Sequence, residues 1–93
     1  MKRIKKKFDQ IRNIYHIGED YEFRMRKIVI SDDFLAHAPR NKKMIERIDY
    51  FLRNGKFHSP ILLDAKSHVL LDGYTSYLIA KTLGWRKVPV QMM

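Results

Sequence analysis

The chain has 93 residues, 45% of them hydrophobic, with 19 Lys and Arg against 10 Asp and Glu, for a net charge of +9 at neutral pH. That length supports one modest core and not two. The absence of cysteine removes disulfides, thiolate metal sites and a catalytic thiol, while so strong a basic excess in a small domain favours polyanionic partners.

The excess is uneven. Lys2, Arg3, Lys5, Lys6, Lys7 and Arg12 face only Asp9 in the first twelve residues. Ile4, Phe8, Ile11 and Tyr15 recur at steps of four, three and four, so residues 1–18 are expected to form a basic amphipathic helix with one apolar stripe. Its cations suit phosphate contact or a solvated face equally. The stripe is short and lacks tryptophan, which argues against a membrane surface. No signal-peptide core follows the lysines, so a cytoplasmic protein is expected.

After Gly18 the chain reads as a domain over 19–93. Its first strand is expected at about 23–30, alternating at first and wholly apolar at its end. Ser31, Asp32 and Asp33 form a turn or helix-capping cluster, with Phe34 and Leu35 on a short helical turn before Pro39. A clear helix runs from Arg40 to Asn54, carrying Met44, Ile45, Ile48, Phe51 and Leu52 on one face and Lys42, Lys43, Glu46, Arg47 and Asp49 on the other, with Gly55 as its cap. Arg40, Lys42 and Lys43 crowd its first turn against the helix dipole, which marks a candidate anion site.

Pro60–Asp64 and His68–Asp72 are short apolar runs joined by Ala65-Lys66-Ser67, the pattern of a hairpin. Residues Tyr77 to Leu83 return to helical spacing, Gly84 caps them, and Val88-Pro89-Val90 reads as a last strand. The order is a basic helix followed by β-α-β-β-α-β.

Asp72-Gly73-Tyr74-Thr75-Ser76 lies where the second hairpin strand meets that helix. Asp72 can cap it through amides two and three positions on, and the backbone amides with Thr75 and Ser76 then offer donors suited to phosphate. A strand-to-helix corner without a ligand has the same composition.

The run Pro-Ile-Leu-Leu-Asp, His-Val-Leu-Leu-Asp-Gly, Ala-Lys-Thr-Leu-Gly and Val-Pro-Val, with Pro39-Arg40 and the link Gly55 to Ile61 upstream, resembles the ParB N-terminal-like superfamily, which also includes sulfiredoxin. The likeness covers about residues 23–92. It implies a small α+β domain, with a mixed sheet of about four strands, two core helices and the added basic N-terminal helix. In that superfamily the glycine opens a nucleotide-phosphate loop that usually ends in arginine, and sulfiredoxin places its cysteine there. Here Tyr74, Thr75 and Ser76 occupy those positions. Sulfiredoxin chemistry is thereby excluded, and a surviving nucleotide pocket for CTP or ATP with Mg²⁺ would need Arg40, Lys42 or Lys43 to supply the missing charge.

Other chemistry is sparse. His16, His37, His58 and His68 form no compact ligand pair. Asp64 and Asp72 could suggest a metal-dependent nuclease but suit turn and cap positions better. Trp85 beside Arg86 and Lys87 is either a stacking or partner-binding hot spot or an apolar residue folded back on its own helix after the Gly84 cap. Arg24 and Arg26, on a strand edge, join Lys2 to Lys7 as further candidates for nucleic-acid or partner contact. The expectation is a non-catalytic, nucleic-acid-associated module of a phage, plasmid or other mobile element. Its rivals are a protein modulator docking on a nucleoprotein enzyme and a phosphotransferase or CTPase with an altered pocket. A homodimer is a further candidate assembly.

Overall fold

The structure is a computed structural model and describes residues 15–93. The cationic arm of Lys2, Arg3, Lys5, Lys6, Lys7 and Arg12, with most of its expected helix, lies outside the described residues. Tyr15 to Gly18 are not helical. Gly18, at φ +82°, turns the chain and donates its N–H to Met92 O at 2.8 Å.

The first strand, β1, spans Asp20–Arg24. Its alternation puts Tyr21 and Phe23 inward and Asp20, Glu22 and Arg24 outward, as the two-residue strand period requires. It stops well short of the expected 23–30. The last strand, β4 (Lys87–Met92), begins opposite Arg24, so beyond Met25 N–H to Arg86 O, 2.9 Å, β1 has no ladder partner. The backbone instead closes a 3₁₀ turn over Met25–Lys27. The apolar stretch after it serves as a connector, with Ile28 buried and Val29 bridged to Val69.

Helix α1 (Asp32–Ala36) carries Asp32 and Asp33 in its first turn, the charge its dipole favours. Ser31 stands at the cap position, but its side chain makes no capping bond. Helix α2 (Asn41–Asn54) ends at Gly55, left-handed at φ 69°, whose N–H reaches Phe51 O at 2.8 Å. The apolar face expected of this helix is only half covered. Met44, Ile48 and Phe51 are half-buried, whereas Ile45 is 67% and Leu52 72% exposed. The cause is placement, because α2 packs chiefly on helix α3 (Tyr74–Thr82).

The hairpin forms as expected from β2 (Ile61–Leu63) and β3 (Leu70–Asp72). Its register shifts between Leu62 and Leu63, so Leu71 is an extra residue on β3 and is left exposed, as in a β-bulge. In the turn, Asp64 Oδ1 accepts the N–H groups of Ser67 at 2.8 Å and Lys66 at 2.9 Å. His68 is left-handed at φ 63°, with its ring edge-on to Phe23 and Tyr15. Burial raises the Tyr15 phenol above its ordinary pKa, and neighbouring Tyr21 adds to the shift.

The four strands make one mixed sheet in the order β1-β4-β2-β3, with β4 parallel to β2 and antiparallel to β1. Tyr21, Phe23, Ile61, Leu63, Leu70, Ala80, Val88, Val90 and Met92 form its buried core, and Ile79 of α3 is buried as well. Core burial at about 25 cal/mol per Å² of apolar surface is the main stabilising contribution. The end of α3 is a complete Schellman motif. Trp85 N–H bonds Ala80 O at 3.0 Å and Gly84 N–H bonds Lys81 O at 3.1 Å.

Candidate functional site

Two clefts gather the candidate residues. The first lies where β3 meets α3. Gly73 occupies the cap position of α3 at φ 84°, a left-handed conformation that suits glycine. A second constraint is stronger, since a Cβ there would sit 2.3 Å from Pro60 O and 2.8 Å from Ile61 Cα. The glycine is therefore required by close packing of the corner against the start of β2, with or without a ligand.

Asp72 does not cap α3 in the expected way. Its Oδ1 accepts the N–H of Gly73, the next residue, at 2.8 Å, because the left-handed glycine turns the later amides away from the carboxylate. The helix has no side-chain cap. Ser76 is only 3% exposed, and its hydroxyl donates to Ser59 O at 2.6 Å. It closes the same seam as Gly73 and is already committed to a backbone carbonyl.

The whole stretch from Asp72 to Ser76 opens on a cavity of about 180 Å³, shared with Phe34, His37, Pro39 and Ser59 and with Lys43 and Arg47 of α2. Tyr74 leans on Phe34, with ring centroids 5.1 Å apart, and stacks on Tyr77 at 6.1 Å. Of the three cations expected to replace the loop arginine, Lys43 lines the cavity, and Arg40 and Lys42 do not. Arg47 joins it instead. Lys43 and Arg47 are four apart on one helix and so share a face, a spacing visible in the sequence but hidden by reading Arg47 as solvent-facing. Two cations, helix-terminal amides and a hydroxyl suit one phosphate-sized anion, while the Asp72 carboxylate on the same wall opposes it. The volume is below the roughly 300–1,000 Å³ of ordinary small-molecule sites.

The second cleft, about 580 Å³, is lined by Arg24, Met25, Arg26, Trp85, Arg86 and Lys87. The two basic segments are far apart in sequence and are brought together by the β1–β4 ladder, in which Arg24 stands directly opposite Lys87. Met25 N–H to Arg86 O, 2.9 Å, ties their backbones. Like charges facing each other across a ladder are unfavourable. Among the described residues none of these cations forms an ion pair with an acidic side chain. The backbone of Trp85 turns back onto Ala80 O of its own helix. Its indole rests on Phe51 of α2 and Phe57, with centroids 5.6 and 5.5 Å away, and stays 37% exposed beside the cations.

Among the described residues, no three His, Asp or Glu side chains come together to hold a metal ion, and no helix is long and apolar enough to cross a membrane. Asp64 and Asp72 are occupied in turns.

No protein-family model matches the sequence, and no curated protein matches it by sequence. Solved structures do. A pNOB8-like ParB N-domain is 27% identical with a TM-score of 0.62, covering 81% of this chain and 29% of that one. Sulfiredoxin from Arabidopsis thaliana superposes with a TM-score of 0.65 at 17% identity, covering 81% of this chain and 84% of that one. The domain has the fold that ParB N-domains share with sulfiredoxin.

The C-terminally truncated chromosome-partitioning protein ParB from Caulobacter crescentus, solved with CTP-γ-S, shares the fold at a TM-score of 0.62 and 17% identity, covering 82% of this chain and 44% of that one. The chain thus spans less than half the length of these ParB chains. In this chain the glycine corner is fixed by packing on Pro60 and Ile61. Ser76 holds the seam to Ser59, and positive charge reaches the cavity from α2.

Proposed function

We propose that this ParB-like domain is a non-catalytic, nucleic-acid-associated binding module of a phage, plasmid or other mobile element. The observation that supports it is the convergence of Arg24, Arg26, Arg86 and Lys87 on one cleft, with Arg24 and Lys87 paired across a ladder and neither in an ion pair among the described residues. A phosphate backbone supplies the compensating charge, and counterion release makes such binding fall with salt. The basic arm of Lys2 to Arg12 adds to the same attraction along the chain.

The test is binding of labelled DNA and RNA, read by fluorescence anisotropy across a salt series. Two to four neutralised phosphates predict a log-log slope between about −2 and −4. Absence of binding to every nucleic acid overturns the proposal and transfers the cationic face to an acidic protein partner, as in a modulator of a nucleoprotein enzyme.

A second reading, nucleotide binding at the Gly73 corner, is favoured by Lys43 and Arg47 beside the helix terminus. The Caulobacter ParB bound to CTP-γ-S has the same fold. A Mg²⁺-nucleotide would place one phosphate between these cations and the amides of Tyr74 and Thr75. Thermal unfolding with CTP, ATP and Mg²⁺ reads this directly. A nucleotide-specific shift lost in Lys43→Ala and Arg47→Ala supports it, and an unshifted transition removes it.

A further inference from the structure

The second cleft carries more than charge. Met25 and Trp85 share it with the four cations, and a purely electrostatic surface has no use for an exposed indole. Phe51 and Phe57 hold Trp85 at 68° and 53° between ring planes, so the ring is braced by two neighbours while part of it stays exposed and lines the cleft. Bracing lowers the ordering entropy lost when a ligand stacks on it. The cleft of about 580 Å³ lies within the range of sites that enclose a small molecule, room enough for a nucleobase. The cleft walls are fixed relative to each other by the Arg24 to Lys87 register and the Met25 to Arg86 backbone bond.

We infer that this cleft seats an unpaired nucleotide, its base stacked on Trp85 and its flanking phosphates held by Arg24, Arg26, Arg86 and Lys87. The target is then single-stranded nucleic acid, whether DNA or RNA, and not duplex. Aromatic platforms with flanking cations are the means by which unpaired strands are held without sequence reading. A paired base offers no free face to an indole, so a duplex engages only the cations. The inference rests on the nucleic-acid reading above and narrows it to one form of the polymer.

Trp85 is the sole tryptophan of the chain, so the whole protein reports on its own site. Length-matched single-stranded DNA, single-stranded RNA and duplex DNA are titrated into the full chain, following intrinsic tryptophan fluorescence and anisotropy together. The expected result is quenching by the single strands and binding about tenfold tighter than to duplex, in the range that stacking of one base supplies. The two single-stranded arms distinguish RNA from DNA. Charge alone predicts the reverse order, because duplex has the denser phosphate array. Equal or tighter binding of duplex, or single-strand binding without quenching, overturns the inference and leaves the nucleic-acid module standing. Failure to bind any of the three overturns both. Trp85→Phe is expected to retain the single-strand preference and Trp85→Leu to abolish it while keeping salt-dependent binding. Loss of binding to every form in Trp85→Leu, with an unfolding transition like that of the parent, would equally overturn it.

Discussion

The two clefts differ in how far their polar groups are already used. At the Gly73 corner the glycine is packed on Pro60, the Ser76 hydroxyl is bonded to Ser59 O, and Asp72 is bonded to Gly73 N–H. Around Trp85, by contrast, Arg24 and Lys87 face each other and an aromatic surface remains open. The corner with the familiar motif is largely occupied by the fold itself, while the cleft without a motif gathers four cations that form no ion pair among the described residues. Signatures of binding and requirements of packing can share the same residues, and only their partners tell them apart.

The sharpest break of this contrast is Gly73→Ala. The new Cβ meets backbone at Pro60 and Ile61 that cannot give way, adding overpacking of about 1–3 kcal/mol to left-handed strain of about 1–2 kcal/mol. A loss of roughly 2–5 kcal/mol is expected in denaturant unfolding, without any ligand. A destabilisation below about 1 kcal/mol would return the glycine to a purely ligand-facing role.

Next in size is charge reversal at the other cleft. Arg24→Glu combined with Arg86→Glu is expected to weaken nucleic-acid binding at least tenfold, about 1.4 kcal/mol, and to flatten the salt dependence by about one unit of slope per lost phosphate contact. The same pair of changes leaves any nucleotide-induced thermal shift intact, since neither residue lines the Gly73 cavity. A nucleotide shift that vanished with them would merge the two sites.

Ser76→Ala sharpens the comparison from the corner's side. It removes a buried 2.6 Å bond and leaves Ser59 O without that donor, a loss of about 1–2 kcal/mol in thermal or denaturant unfolding. Phosphate or nucleotide affinity is expected to stay unchanged. A stable Ser76→Ala variant with weakened nucleotide binding would show the hydroxyl serving a ligand.

The smallest effect concerns Asp64. The N–H of Ser67, and then that of Lys66, hold its carboxyl below the ordinary aspartate value. A depressed folded pKa contributes stability above the unfolded value that is lost as pH falls through the folded one. The exposed turn makes this a minor contribution. Asp64→Asn is expected to flatten the stability profile below about pH 4 and to leave its shape near neutrality unchanged, as read by thermal unfolding across pH. An unchanged acid limb would mean the turn bonds carry no charge preference.

Much of this architecture was legible in the sequence. The β-α-β-β-α-β order, the hairpin about Ala65-Lys66-Ser67 and the glycine caps at Gly55 and Gly84 follow from period and turn chemistry, which are local. The end of β1 was not, because it depends on where β4 begins, and the apolar run at Ile28 to Ile30 looked like more strand. Ile45 and Leu52 were misread for a similar reason, since a helical stripe announces an apolar face but not the area of its partner. At the candidate sites, the Asp72 to Ser76 corner could be found by motif. The clearance around Gly73 is set by Pro60 and Ile61, and Arg47 reaches the cavity through the packing of α2, so neither could be read from neighbours in sequence. Arg24 and Lys87 were each visible as cations; their apposition is a property of strand register.

That register bears on how the chain acquires its structure. The strand nearest the C-terminus, β4, is the only described strand paired with β1 and is also the link from β1 to the hairpin. Asp20 must therefore wait for Gln91, a loop closure across most of the sequence before the ladder can compensate its entropy. During synthesis the hairpin and helices can form as they emerge, while Tyr21 and Phe23 stay without their strand neighbours until Lys87–Met92 has left the ribosome. The late strand makes sheet completion nearly all-or-none and places the slow step of folding after Lys87–Met92 has emerged.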